Sequence, residues 1–177
     1  LVNRDLFGSE SSKGGVWAWG EDRLMVAIGD PLNYLPEGLQ SYWHWTTTEW
    51  SDFELVVEYI APEGDFNSGI FIRSSTEPKD PAKDCYEINL TGGENPFPTG
   101  SIVARKRGED YKPTGKTEQL RIVAVGPRIK VYQGERLLTD YTDPDPILKG
   151  RIGLQHRQGN IGFTSVRLRP LDGKQLF

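Results

Sequence analysis

Apolar and polar residues alternate along much of the chain, with the period of two that marks strands buried on one side. In Phe53-Glu-Leu-Val-Val-Glu-Tyr59, Phe53, Leu55, Val57 and Tyr59 fall on one face and Glu54 and Glu58 on the other. Tyr86-Glu-Ile-Asn-Leu90 repeats the pattern, with Tyr86, Ile88 and Leu90 opposed to Glu87 and Asn89. The same reading predicts strands at residues 68–73, 101–106, 120–125, 128–132, 136–138, 151–156 and 161–168. Two more flank Gly20-Glu21-Asp22 within residues 17–28. Gly126-Pro127, Gln133-Gly134 and Gly159-Asn160 supply turns between them. Ten to twelve short strands spaced by about ten residues are the signature of a sandwich or barrel.

Helical periodicity is weak throughout; one helical turn is expected near residues 80–83. Residues 74–84 and 92–99, the latter with Pro96 and Pro98, read as long loops at a sheet rim, where sites collect.

Composition agrees with this pattern. Twenty Gly, twelve Pro and 11% aromatics in 177 residues disfavour long helices and suit strands and turns. No repeat or linker interrupts the chain, so residues 1–177 read as one β-sandwich domain. A formal charge of −4 lacks the basic excess of a nucleic-acid binder. No apolar run is long enough to span a membrane. One Cys (Cys85) and two His (His44, His156) exclude a disulfide framework and a Cys/His zinc site; no metal or other cofactor is expected. The chain opens on Leu1, which reads as a processed or trimmed start, so no targeting signal is visible. Nothing in the sequence fixes an oligomeric state.

Few residues stand out for chemistry. Glu54 and Glu58 share a face about 13 Å apart, wider than either glycosidase carboxylate spacing, and read as a solvated outer face. Glu87 lies mid-strand with Asn89 on its own face, and Arg73 closes the strand before it. A carboxylate–guanidinium pair on a concave face would suit a functional site, and equally a structural one. His156 ends a strand beside a turn, as an acid/base group or as a hydrogen-bonded rim histidine. In Tyr42-Trp-His-Trp45, Trp43 and Trp45 share one face and His44 takes the other. Such a Trp pair suits either a sugar platform or a core cluster. Asp143-Pro-Asp-Pro146 reads better as a turn than as a calcium loop.

Several strings together resemble the 3-keto-disaccharide hydrolase domain family. They are Asp52-Phe-Glu-Leu55, Asn67-Ser-Gly-Ile-Phe-Ile-Arg73, Tyr86-Glu-Ile-Asn-Leu90, Thr99-Gly-Ser-Ile102, Gly150-Arg-Ile-Gly-Leu-Gln-His156 and Phe163-Thr-Ser-Val-Arg-Leu168. Their order and spacing agree with the family over residues 6–171. The pattern departs after Gln155, where His156 follows directly and Arg157 and Gln158 are inserted before Gly159.

The resemblance implies a concanavalin-like jelly-roll of two antiparallel sheets. It also implies an enzyme acting on sugars oxidised at carbon 3, in a periplasmic or secreted setting in bacteria. A 3-keto group acidifies the C2 proton, so a base, a cation facing the enolate and an acid for the leaving oxygen are required. Glu87 or His156 is expected as base or acid and Arg73 as the cation. Asn67, Asn89 and Gln155 would orient hydroxyls, and Trp43 or Trp45 would floor the pocket. The alternatives are a non-catalytic carbohydrate-binding module using the same aromatics, or an assembly domain.

Overall fold

A computed structural model describes residues 17–19, 24–26, 42–61, 66–76 and 78–171. Eleven strands and no helix occur among them. They are β1 (Trp17–Trp19), β2 (Leu24–Val26), β3 (Tyr42–Trp45), β4 (Phe53–Ile60), β5 (Asn67–Ser74), β6 (Tyr86–Thr91), β7 (Thr117–Val125), β8 (Arg128–Gln133), β9 (Arg136–Thr142), β10 (Arg151–Gln158) and β11 (Gly162–Pro170). Seven strands form one sheet in the order β1-β2-β11-β4-β7-β8-β9, and four form the other in the order β3-β10-β5-β6. Every pairing between strands is antiparallel.

The alternation read from the sequence decides what lies between the sheets. Phe53, Leu55, Val57 and Tyr59 of β4 meet Leu120, Ile122 and Ala124 of β7 and Ile129 and Val131 of β8 in one core. The four-stranded sheet contributes Ile70, Ile72, Tyr86, Ile88, Leu90, Ile152 and Leu154 to the same core. Glu54 and Glu58 lie on the outer side of the large sheet and pair there with Arg169 and Arg167 at 3.2 and 2.7 Å. They are the solvated face that their spacing suggested.

One predicted strand takes another form. Residues 101–106 are not a strand. The chain turns back on itself, with Ala104 at φ 60° and the Arg105 and Lys106 amides both donating to the Ile102 carbonyl. Only bridges at Ile102 remain, to Ile88 and Lys106. The turn near residues 80–83 is present, its Lys83 and Asp84 amides donating to the Asp80 carbonyl.

Arg73 fastens the two sheets at one end. It stands at φ 50°, which breaks the alternation of β5. Its guanidinium donates to the carbonyls of Ser51 (2.9 Å), Gly126 (2.6 Å) and Ile147 (3.1 Å), and to Asp52 Oδ1 (3.1 Å). Asp52 in turn accepts from the Gly126 amide at 2.9 Å, so one ion pair gathers three separate segments.

Candidate functional site on the outer face of the small sheet

The register of the four-stranded sheet sets its outward face. One row across the strands is Trp43, Gln155, Gly69 and Asn89; the next is Trp45, Gly153, Phe71 and Glu87. Leu154, Ile70 and Ile88, in the row between, enter the core, so these two rows point away from it. Asn67 and Thr91 continue the outward face at the far end.

Two glycines shape this face. A Cβ at Gly153 would stand 2.2 Å from Cζ3 of Trp45, so the indole lies directly on the bare backbone of β10. Trp43 stacks on Trp45 with ring centroids 6.1 Å apart, and Phe71 meets both edge-on at 5.8 and 6.0 Å. Trp45 and Phe71 are buried, while Trp43 is half-buried and presents the accessible ring. Gly69 is the second glycine. A Cβ there would stand 3.2 Å from Gln155 Oε1 and 3.3 Å from Glu87 Cγ and Oε1. The two polar side chains reach over it from opposite flanking strands.

Glu87 is the carboxyl of this face. Burial pushes its pKa up to about 7, opposed by the positive charge of Arg157. Arg157 is exposed and sits at the irregularity in β10 between His156 and Gln158. Cys85, the next outward position along β6's approach, is packed with Trp45 and Phe71. Burial first, and the Glu87 charge second, push its thiol up to about 12, so it stays protonated.

The expected site residues therefore divide. Glu87, Gln155, Trp43, Trp45, Asn89 and Asn67 share the outward face. Asn89 is buried, its amide nitrogen donating to the Phe97 carbonyl, so it anchors the 92–99 loop. Arg73 does not join them. Its guanidinium is spent on three carbonyls and Asp52 and is buried, which corrects the expectation that it faces a substrate.

His156 falls in register with Ser68 and Leu90, on the opposite side from Gln155. Its Nε2 lies 2.9 Å from the Gly159 carbonyl; a carbonyl only accepts, so Nε2 carries the proton. Burial lowers its pKa more than this bond raises it. The buried rim histidine, rather than a base facing the site, is what the structure shows. His44 likewise turns toward the core side, in register with Leu154. Nothing in the sequence pattern marks Phe71 or Gly153 as part of this face. The insertion after Gln155 was the available signal for Arg157.

No group of three or more His, Cys, Asp or Glu able to hold a metal occurs among the described residues. No helix long and apolar enough to cross a membrane occurs among them.

Two facing antiparallel sheets with an aromatic and polar outer face define a lectin-type jelly-roll, and comparisons agree. The 3-keto-alpha-glucoside-1,2-lyase-like domain model matches residues 13–169. The chain belongs to that family. A solved candidate glycosyl hydrolase from Parabacteroides distasonis is similar at 23% identity and TM-score 0.69, covering 94% of this chain and 98% of that one. A family 66 carbohydrate-binding module from Bacillus subtilis is similar at 20% identity and TM-score 0.64, covering 93% and 96%. The VIP36 exoplasmic/lumenal domain, solved with Ca²⁺ and Man3GlcNAc, follows at 13% and 0.58, covering 92% and 86%. At these identities the likeness establishes the fold. No curated protein matches the chain.

Proposed function

We propose that this domain cleaves the C1–O bond of 3-keto-glycosides, with Glu87 as the base that removes the C2 proton. The observation that carries the reading is a carboxyl with a pKa of about 7 beside Gln155 on the outward face. A base poised near working pH combines an available deprotonated form with adequate proton affinity. Membership of a 3-keto-alpha-glucoside-1,2-lyase-like family supports this choice of substrate class.

The step balances within the substrate and one side chain. The C2 proton passes to the Glu87 carboxylate, and the C2–H electron pair moves toward the C3 ketone as an enolate. The enolate then expels the C1 oxygen. A C1=C2 double bond forms, conjugated with the ketone, and the leaving alkoxide takes up the proton that Glu87 removed, which returns the carboxylate. Addition of water across the double bond completes a net hydrolysis. Arg157, not Arg73, is the cation available to the enolate, since it is exposed and its charge already reaches Glu87. Gln155 orients a hydroxyl next to the base, and Trp43 offers its ring to the C–H face of the sugar. A periplasmic or secreted location is part of the same proposal.

One observation favours a second reading. The Trp43–Trp45–Phe71 cluster is a braced aromatic panel of the kind a binding module needs, with no chemistry required. The test is release of a chromogenic aglycone from a 3-keto-glucoside. Release by the native protein, lost in Glu87→Gln, supports the enzyme. No release beside retained sugar binding assigns the domain as a binding module.

A further inference from the structure

Beyond the outward face, β6 leads into a cleft of about 460 Å³ formed by the 92–99 loop and residues 107–112. This volume lies within the range of small-ligand sites. Pro96, Pro98 and Tyr111 give it apolar walls, and Glu94, Arg107 and Lys112 line it with charge. The walls are held from behind. The Tyr111 hydroxyl donates to the buried Glu118, which fixes the ring. The loop is pinned to β6 by Asn89 on the Phe97 carbonyl and by Thr99 Oγ1, which accepts from the Thr91 amide at 2.8 Å and donates to its carbonyl at 2.9 Å. Glu94 and Lys112 themselves are exposed at the mouth.

Thr91 belongs to both places. It lines the cleft, and it lies on the outward side of β6 four residues beyond Glu87, about 13 Å along the strand. A saccharide with its reacting ring at Glu87 and a leaving group running along β6 would enter this cleft.

We infer that the cleft between the 92–99 loop and residues 107–112 is a second saccharide subsite, which takes the leaving-group end of an oligosaccharide whose reacting ring lies at Glu87. This rests on the proposed function for its orientation. Ring faces pack on Tyr111 and the prolines, and vicinal hydroxyls meet the carboxylate and ammonium at the mouth. The apolar walls with convergent polar groups match a sugar, and the mixture of both charge signs does not select a polyanion.

The test is an NMR titration of the full chain with unoxidised α-linked gluco-oligosaccharides of two, three and four units, which the enzyme cannot eliminate. The expected result is saturable shifts of the Tyr111 and Lys112 amides, with affinity rising as units are added. In Glu94→Ala/Lys112→Ala, the affinity gained from the added units falls by about tenfold. Silent cleft amides, or a length-dependent gain that survives both substitutions, overturns the subsite. The reading of Glu87 is judged separately, by turnover of Glu87→Gln on a 3-keto-glucoside, so each failure is distinct. Shifts in the cleft with no response at Glu87 and Gln155 would keep the site as a saccharide site but overturn its place on the leaving-group side.

Discussion

Glu87 of β6 and Gln155 of β10 are separated by a whole strand, yet both side chains reach over Gly69 of the strand between them. A methyl group at Gly69 would stand 3.2–3.3 Å from both. The glycine thus sets how near the amide comes to the carboxyl. Gly69→Ala is expected to push the two apart and lower turnover while the protein stays folded. Steady-state kinetics beside a thermal melt checks this; unchanged kcat/KM would mean that their approach is immaterial.

The raised pKa of Glu87 has a consequence for stability with a definite sign. A carboxyl that titrates near 7 when folded and near 4.5 when unfolded holds extra protons in the folded state between those values. Folding stability from this group is present at low pH and declines as pH rises from about 4.5 to about 7, by up to roughly 3 kcal/mol. Glu87→Gln is expected to remove that decline. Denaturant melts at pH 5 and pH 8 should show the variant gaining on the native protein at the higher pH. Equal differences at both would contradict a desolvated carboxyl.

The same group sets a pH profile. With Glu87 as base, kcat/KM should rise with pH through an apparent pKa near 7. Arg157 lowers that pKa, so Arg157→Ala should move the rise to higher pH as well as slow the reaction. A slower reaction with an unmoved profile would separate Arg157 from Glu87.

Arg73 belongs to stability. Arg73→Met strands the carbonyls of Ser51, Gly126 and Ile147 and leaves Asp52 without its cation. A loss of about 3 kcal/mol in a urea melt is expected, with turnover per folded molecule retained. Intact stability with abolished turnover would restore the catalytic role first assigned to it.

Gly153 carries the Trp45 indole. Gly153→Ala places a methyl within 2.2–2.8 Å of three ring carbons. The ring must move, at a cost of about 1–3 kcal/mol, and the Trp43–Trp45 stack with it. Near-ultraviolet circular dichroism reads the stack directly, and sugar affinity should fall with it.

Much of the fold was legible because burial imposes a period of two. Phe53 to Tyr59 and Tyr86 to Leu90 announced both their strands and their inward faces, and Glu87 and Asn89 on the outer side followed from the same alternation. What alternation cannot show is backbone that departs from it. Ala104 at φ 60° turns residues 101–106 back, and Arg73 at φ 50° swings its side chain off the face that its position in β5 suggests. The partners of Arg73 are also remote in sequence, at Ser51, Gly126 and Ile147, so only the folded chain brings them together. His156 departs for a related reason: a strand-end histidine looks available until register, pairing it with Ser68, turns it to the other face from Gln155. Gly69 and Gly153 were visible in the motifs, but their role as seats for neighbouring side chains depends on cross-strand pairing.

Proton removal at C2 by Glu87 is tested most directly in D2O, by NMR, on a methyl 3-keto-glucoside. The native protein should replace the C2 proton with deuterium or form the C1=C2 enone, and Glu87→Gln should do so slower by about 10²–10⁴-fold. Exchange and elimination at the native rate in Glu87→Gln would contradict the account.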